Sequence, residues 1–141
     1  MEENVLVIPS LNPDENFLNL LEEFKNKIAK EKINISIVVV NDGSSEKFDS
    51  IFEKIKEKNI TVLRHVVNLG KGRALKTAFN YILNEAKNLK SVVTADSDGQ
   101  HLIEDIISCL RSSNENKDTL ILGTRNFKKT LKNIRTGGGT S

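Results

Sequence analysis

Cysteine is nearly absent from this 141-residue chain. Cys109 stands alone, which excludes an internal disulfide and a cysteine-rich zinc site. No apolar run approaches the ~20 residues that a membrane-spanning helix needs. The N-terminus lacks the basic-then-apolar order of a secretory signal. An excess of either charge is also missing: 21 basic residues face 19 acidic ones, for a net charge of +2. That balance gives no electrostatic reason to expect nucleic acid or an acidic membrane surface as a partner. No internal repeat is visible. These absences lead us to expect a cytoplasmic chain without a nucleic-acid partner. Any membrane association would come from segments of a longer protein. With 38% hydrophobic and 28% charged residues, the chain is too apolar for disorder, and its length suits one domain with a real core.

Two hydrophobic periods alternate along the chain. The run VLVI at 5–8 reads as a strand, closed by Pro9 and the turn residues Asn12, Pro13 and Asp14. Phe17, Leu18, Leu20, Leu21, Phe24 and Ile28 then fall at helical spacing, with Asp14 as the N-cap. ISIVVV at 35–40 is apolar enough for a strand buried on both faces, and it stops at NDGSS, 41–45. Phe48, Ile51, Phe52 and Ile55 mark a second helix. ITVL at 60–63, running on toward Val67, marks a third strand, and NLGKG at 68–72 breaks it. Ala74, Leu75, Ala78, Phe79, Ile82 and Leu83 share one face of a third helix. Val92 and Val93 lie in a fourth strand. Ile103, Ile106, Ile107 and Leu110, with Cys109, form the apolar face of a fourth helix, and TLIL at 119–122 is a fifth strand. Alternation of this kind predicts βαβ units: an α/β fold with a mostly parallel sheet flanked by helices. The tail RTGGGTS at 135–141 has no apolar residue and is expected to be mobile.

In such sheets ligands bind beyond the carboxyl ends of the strands. Polar residues collect there: Ser10 and Asn12 after the first strand, Asp42 and Ser44 after the second, Asp96 and Asp98 after the fourth, and Arg125 after the fifth. One aspartate at a strand end is an ordinary helix cap. Two at i and i+2 on extended backbone point the same way and suit one hard cation such as Mg²⁺ or Mn²⁺. A calcium loop does not fit, because Ile107 stands where its glutamate belongs. Asp-x-Asp-Gly also serves aspartyl-nucleophile phosphatases, with Asp96 as the nucleophile, although there it usually follows the first strand. Residues 41–45 read equally as a plain turn with Ser45 as a cap, or as a ligand loop in which Asp42 accepts hydrogen bonds from a base or ribose. Gly70, Lys71, Gly72 and Arg73 open a helix, where cations and close backbone approach favour phosphate. This is neither a Walker A loop nor a dinucleotide fingerprint. His65 and His101 read as polar surface residues.

Taken together, VIPSLN at 7–12, VVNDGSS at 39–45, NLGKGRAL at 68–75, ADSDGQH at 95–101 and GTR at 123–125 resemble family 2 glycosyltransferases. The nearest resemblance is to the polyprenyl-phosphate, dolichol-phosphate-mannose-synthase-like branch. The resemblance implies a Rossmann-like GT-A domain over 1–127, a UDP- or GDP-sugar donor and a Mg²⁺ or Mn²⁺ ion. On it, Pro9, Ser10, Leu11 and Asn12 line the nucleotide pocket, and Asp42 with Gly43 holds the base. Lys71 and Arg73 lie near the diphosphate. Asp96, Ser97, Gln100 and Arg125 contact the donor, and Asp96 and Asp98 hold the metal. Gln100 and His101 match the extended motif of that branch. The implied reaction is inverting sugar transfer to a polyprenyl phosphate or a glycan.

The chain also departs from the family pattern. Leu11 replaces an aromatic that stacks on the base in many relatives, Asn12-Pro13 replaces Asn-Glu, and Leu102 replaces a proline. Family domains run well beyond 141 residues. Residues 128–141 are therefore expected to be a mobile tail or the start of an acceptor region, and any catalytic base to lie outside this chain. A donor-binding module without turnover is the alternative. An incomplete sheet would leave an exposed edge, from which we expect a homodimer.

Overall fold

The computed structural model describes residues 1–95, together with Ile107 and Ser108. The expected fifth strand, the 128–141 tail, Cys109 and most of the fourth helix lie outside the described residues. So do Asp96, Ser97, Asp98, Gln100, His101 and Arg125. Within the described residues the order is β1 (Asn4–Ser10), α1 (Glu15–Lys30), β2 (Ile35–Asp42), a 3₁₀ turn (Glu46–Phe48), α2 (Asp49–Lys56), β3 (Thr61–His65), α3 (Lys71–Glu85) and β4 (Ser91–Thr94).

All strand pairs are parallel and lie in the order β3-β2-β1-β4. The chain moves outward from β1 through β2 to β3, then crosses back to place β4 on the other flank of β1. The direction of winding reverses between β1 and β4, and at that switch point an open α/β sheet leaves a crevice beyond its strand ends. β4 pairs with β1 from Asn4–Ser91 to Val7–Thr94, and the Ala95 amide donates to the Val7 carbonyl at 3.0 Å. The chain therefore enters the Asp-Ser-Asp motif one residue beyond this point. Pro9 is at home in this central strand. The strand, expected to close at Pro9, runs on to Ser10. Alternation that turns the Val7 carbonyl toward β4 turns position 9 the same way, past the Val7–Thr94 pair that ends the described ladder, so none of the described ladder bonds needs a donor there.

Each face of the sheet carries its own core, because successive strand residues point to opposite sides. Leu6, Ile8, Ile37, Val39 and Val93 pack with Phe17, Leu21, Phe24 and Ile28 of α1 and with Phe52 and Ile55 of α2; Ile107 joins this layer. Val5, Val7, Val38, Val40 and Val92 pack with Ala74, Leu75, Ala78 and Ile82 of α3. Full burial of each large apolar side chain contributes about 1.5–3 kcal/mol, and Leu6, Phe17, Leu21, Ile55 and Ile82 are all buried this completely. Asp14 caps α1 as expected, accepting from the Asn16 amide at 3.0 Å.

Four further expectations are corrected. Leu83 does not share the buried face of α3 but is 69% exposed, one position past Ile82 and so rotated off the stripe. β3 ends at His65, and Val66 and Val67 stand in solvent although β-branched. β2 runs through Asn41 and Asp42, because β3 continues to pair alongside it as far as Asp42–His65. The Ser45 side chain makes no capping bond. It precedes the 3₁₀ turn, and α2 begins only at Asp49.

Candidate functional site

Three loops meet at the carboxyl ends of β1, β2 and β3. The first two are laced together by side chains that reach across. The Ser44 amide donates to Asn41 Oδ1 at 2.9 Å, which closes the turn after β2. The Asn12 amide donates to Ser44 Oγ at 2.8 Å, and the Ser45 amide donates to Asn12 Oδ1 at 3.0 Å. Asn12 holds a left-handed backbone (φ 50°), which asparagine tolerates better than most residues. Asn12, read from the sequence as part of the nucleotide pocket, thus spends its side-chain oxygen and its backbone amide on holding two loops in register.

The third loop rests on Gly43 and Asp42. Gly43 has φ 78°, and a Cβ there would lie 2.2 Å from the Asn68 amide nitrogen and 2.2 Å from the Val67 carbonyl carbon. Glycine is required at this point both for its backbone angle and for that close approach. Beside it, the Asp42 carboxylate is buried and accepts three protein hydrogen bonds. Oδ1 receives the Leu69 amide at 2.9 Å and the His65 ring at Nδ1 at 2.8 Å, and Oδ2 receives the Gly70 amide at 3.0 Å. The far ring nitrogen of His65, Nε2, lies 2.8 Å from Thr77 Oγ1 on α3. His65 is therefore buried between a strand end and a helix, not a surface residue, and this corrects the sequence reading. The signal was present but indirect. His65 is two residues past Leu63, on the same face of β3, and it pairs in register with Asp42.

α3 begins immediately after this loop. Gly70, its N-cap, has φ 96° and no side-chain cap, so the first-turn amides of Lys71, Gly72 and Arg73 have no intrahelical acceptor. The charges around this end run against the usual order. α1 and α2 carry an acid in the first turn and lysines in the last. α3 carries no acid in its first turn and no base in its last, and Lys71 and Arg73 sit at its positive pole. Cations there oppose the helix dipole by a few tenths to about 1 kcal/mol each, and an anion at the same place reverses that sign.

Ser10 brings a buried, unbonded hydroxyl to the same end. It ends β1 at the edge of the crevice and is 3% exposed, and its hydroxyl has no hydrogen-bond partner among the described residues. Thr94, at the end of β4, is likewise buried with an unpartnered hydroxyl. Leu11, next to Ser10, is 45% exposed and offers apolar surface at the rim.

Pro9, Ser10, Leu11, Asn12, Asp42, Gly43, Lys71 and Arg73 all gather at one end of the sheet. Asp96, Ser97, Asp98, Gln100 and Arg125, expected to join them, lie outside the described residues. Asn41, Asn68, Thr77 and His65 also hold this end together and were not singled out as site residues in the sequence, whereas Ser44 was read there as a strand-end polar residue. Among the described residues no cluster of three or more His, Cys, Asp or Glu could hold a metal ion, and no helix is long and apolar enough to cross a membrane.

A parallel sheet with a switch point, helices on both faces and interlocked strand-end loops define a Rossmann-like class of α/β domain. The chain belongs to glycosyl transferase family 2, whose model matches residues 5–137. It is similar to two uncharacterised proteins of Methanocaldococcus jannaschii. MJ0544 is 28% identical over 127 residues, covering 88% of this chain and 52% of that protein. MJ1222 is 31% identical over 134 residues, covering 94% of this chain and 51% of that protein. The chain spans about half the length of these relatives.

Proposed function

We propose that this chain is the donor-binding portion of a metal-dependent, inverting glycosyltransferase. It would bind a UDP- or GDP-sugar, and the acceptor would be a polyprenyl phosphate or a glycan. The observation that carries this reading is the family match over residues 5–137, on a sheet whose strand-end loops are fastened into one floor beside the switch point.

Each residue has a role within that reading. Ser10 offers the donor a buried hydroxyl that the described protein leaves unbonded, and Pro9 and Leu11 line the same edge. Lys71, Arg73 and the first-turn amides of α3 receive the diphosphate, which explains cations at the wrong pole of that helix. Asp42 has one acceptor on Oδ1 given to a backbone amide and one to His65, so a base edge would meet it at Oδ2. Asp96 and Asp98 would hold the divalent ion, joined to the crevice by the end of β4. A bound Mg²⁺ or Mn²⁺ would neutralise the charge that develops on the departing diphosphate. In the transfer itself, an acceptor oxygen forms the new bond to the anomeric carbon as the bond from that carbon to the diphosphate oxygen breaks. Lys71 and Arg73 stabilise the leaving group, and the acceptor proton passes to solvent or to a base outside these residues. Because the chain covers only about half of each relative, donor binding without transfer is the second reading for the chain by itself.

Thermal-shift titration with UDP and GDP, with and without Mn²⁺, tests the proposal. We expect metal-dependent stabilisation by one nucleotide, about 2.7 kcal/mol at a hundredfold excess over Kd. Asp98→Ala should abolish the metal dependence. Stabilisation by neither nucleotide, or a metal effect that survives Asp98→Ala, contradicts the assignment.

A further inference from the structure

His65 is buried, is engaged at both ring nitrogens and has no part in the mechanism above. Its two bonds join three elements: β3, which carries it, β2 through Asp42, and α3 through Thr77. An ionised carboxylate only accepts, so Nδ1 is the donor toward Asp42, and Nε2 meets the Thr77 hydroxyl, which can donate or accept in turn. Asp42 Oδ1 therefore receives the ring and the Leu69 amide together, while Oδ2 receives the Gly70 amide.

The loop has little else to fix it. Val66, Val67 and Leu69 are exposed, and Gly70 adopts a positive φ without a side-chain cap. Among the described residues its remaining anchors are the contact of Val67 and Asn68 on Gly43 and the bond from the Gly70 amide to Asn68 Oδ1 at 3.0 Å. A buried carboxylate can swing about its own Cβ unless its partners oppose it. Among the described residues the ring is the one side chain in that set of partners, and it is braced in turn by Thr77.

We propose that His65 is a positioning residue of the donor site. By donating to Asp42 Oδ1 it holds the carboxylate in the orientation that receives the Leu69 and Gly70 amides, and so fixes the loop from which α3 presents its first-turn amides. The relevance to a donor rests on the function proposed above; the control of the loop does not.

Three substitutions in the full chain separate this role from packing. The side-chain nitrogen of asparagine falls near the ring's Nδ1 and keeps the bond to Asp42. That of glutamine reaches toward Nε2 and keeps only Thr77. Leucine keeps the bulk and neither bond. Amide hydrogen exchange at Leu69 and Gly70, measured without nucleotide, should accelerate about tenfold to hundredfold in His65→Leu and His65→Gln, and stay within about threefold of wild type in His65→Asn. UDP or GDP affinity with Mn²⁺ should follow the same order. Unchanged exchange in His65→Leu overturns the proposal, as does glutamine protecting the loop as well as asparagine does. Should the leucine variant fail to fold, the asparagine–glutamine comparison decides alone. If the loop loosens while nucleotide affinity holds, His65 does not position the donor. If wild-type chain binds neither nucleotide, the donor reading fails by itself, and the exchange data still decide whether His65 sets the loop.

Discussion

Gly43, in the loop after β2, and Gly72, in the first turn of α3, make opposite demands. A Cβ on Gly43 would collide with backbone, which cannot swing aside as a side chain can, and its positive φ adds strain. A Cβ on Gly72 would meet nothing within 4 Å, and its position lies inside the first turn of α3. We expect Gly43→Ala to cost about 2–4 kcal/mol, read from the urea midpoint, because backbone strain and steric displacement add. Gly72→Ala should stabilise the fold by about 0.4–1 kcal/mol, since alanine suits a helix and restricts the unfolded chain. If a diphosphate approaches that turn closely, the same alanine should weaken nucleotide binding while it raises Tm. Stronger or unchanged binding would place the phosphates elsewhere. From sequence the two glycines look alike. Only the neighbouring backbone of Val67 and Asn68 tells them apart.

At the scale of elements, α1 is held by local chemistry and by two bonds to Lys58. Asp14 satisfies one of its orphan amides, and Asp14→Ala should cost about 1 kcal/mol, measured by denaturation. Glu22 of α1 pairs with Lys58 in the turn after α2, and Lys25 donates to the Lys58 carbonyl. The hydrogen bond from Lys58, and then its positive charge, hold the Glu22 carboxyl below its ordinary value. A carboxyl lowered in the folded state contributes stability above its unfolded pKa, and that contribution fades as pH falls through the lower folded one. Glu22→Gln should therefore flatten the stability curve only on its acid side, below about pH 4. The pair is exposed and the effect small, and it should vanish in high salt. A loss that persists at neutral pH in salt would mean that Glu22 acts by packing instead. Helix positions, the Asp14 cap and most buried faces were legible because the 3.6-residue period and capping chemistry are local. Leu83 escaped that logic: an apolar residue one position off the stripe has the same composition and a different azimuth.

For the whole molecule, β3 is an edge strand among the described residues. Its partner is β2 on one side, and the exposed Val66 and Val67 extend directly from its end. Unpaired strand edges next to exposed β-branched residues favour pairing between chains. We expect concentration-dependent dimers by light scattering, and Val66→Lys with Val67→Lys should leave the fold intact and shift the chain to monomer. A monomer at all concentrations before the change removes this expectation. The family match and the parallel sheet agree with the α/β architecture read from alternating strands and helices. Strand order is different in kind. That β4 returns to β1, opening a switch point beside Ser10, depends on contacts nearly 90 residues apart, as in the bond from Ser91 Oγ to Asn4 Oδ1 at 2.6 Å.

By itself the amino-acid sequence determined the alternation of elements, the apolar character of both sheet faces, and the clustering of polar residues after each strand. All of these follow from short-range periodicity and from the turn chemistry of Asn, Asp, Gly and Pro. The tertiary structure decided how those polar residues are employed. Asn12 and Asp42 each bind backbone amides of another loop, Gly43 is pressed against a third, and His65 is buried because the register of β3 sets it against Asp42. The physical reason is that a hydrogen-bond partner is chosen by proximity after the strands pair, and no local pattern encodes which distant amide a carboxylate will meet.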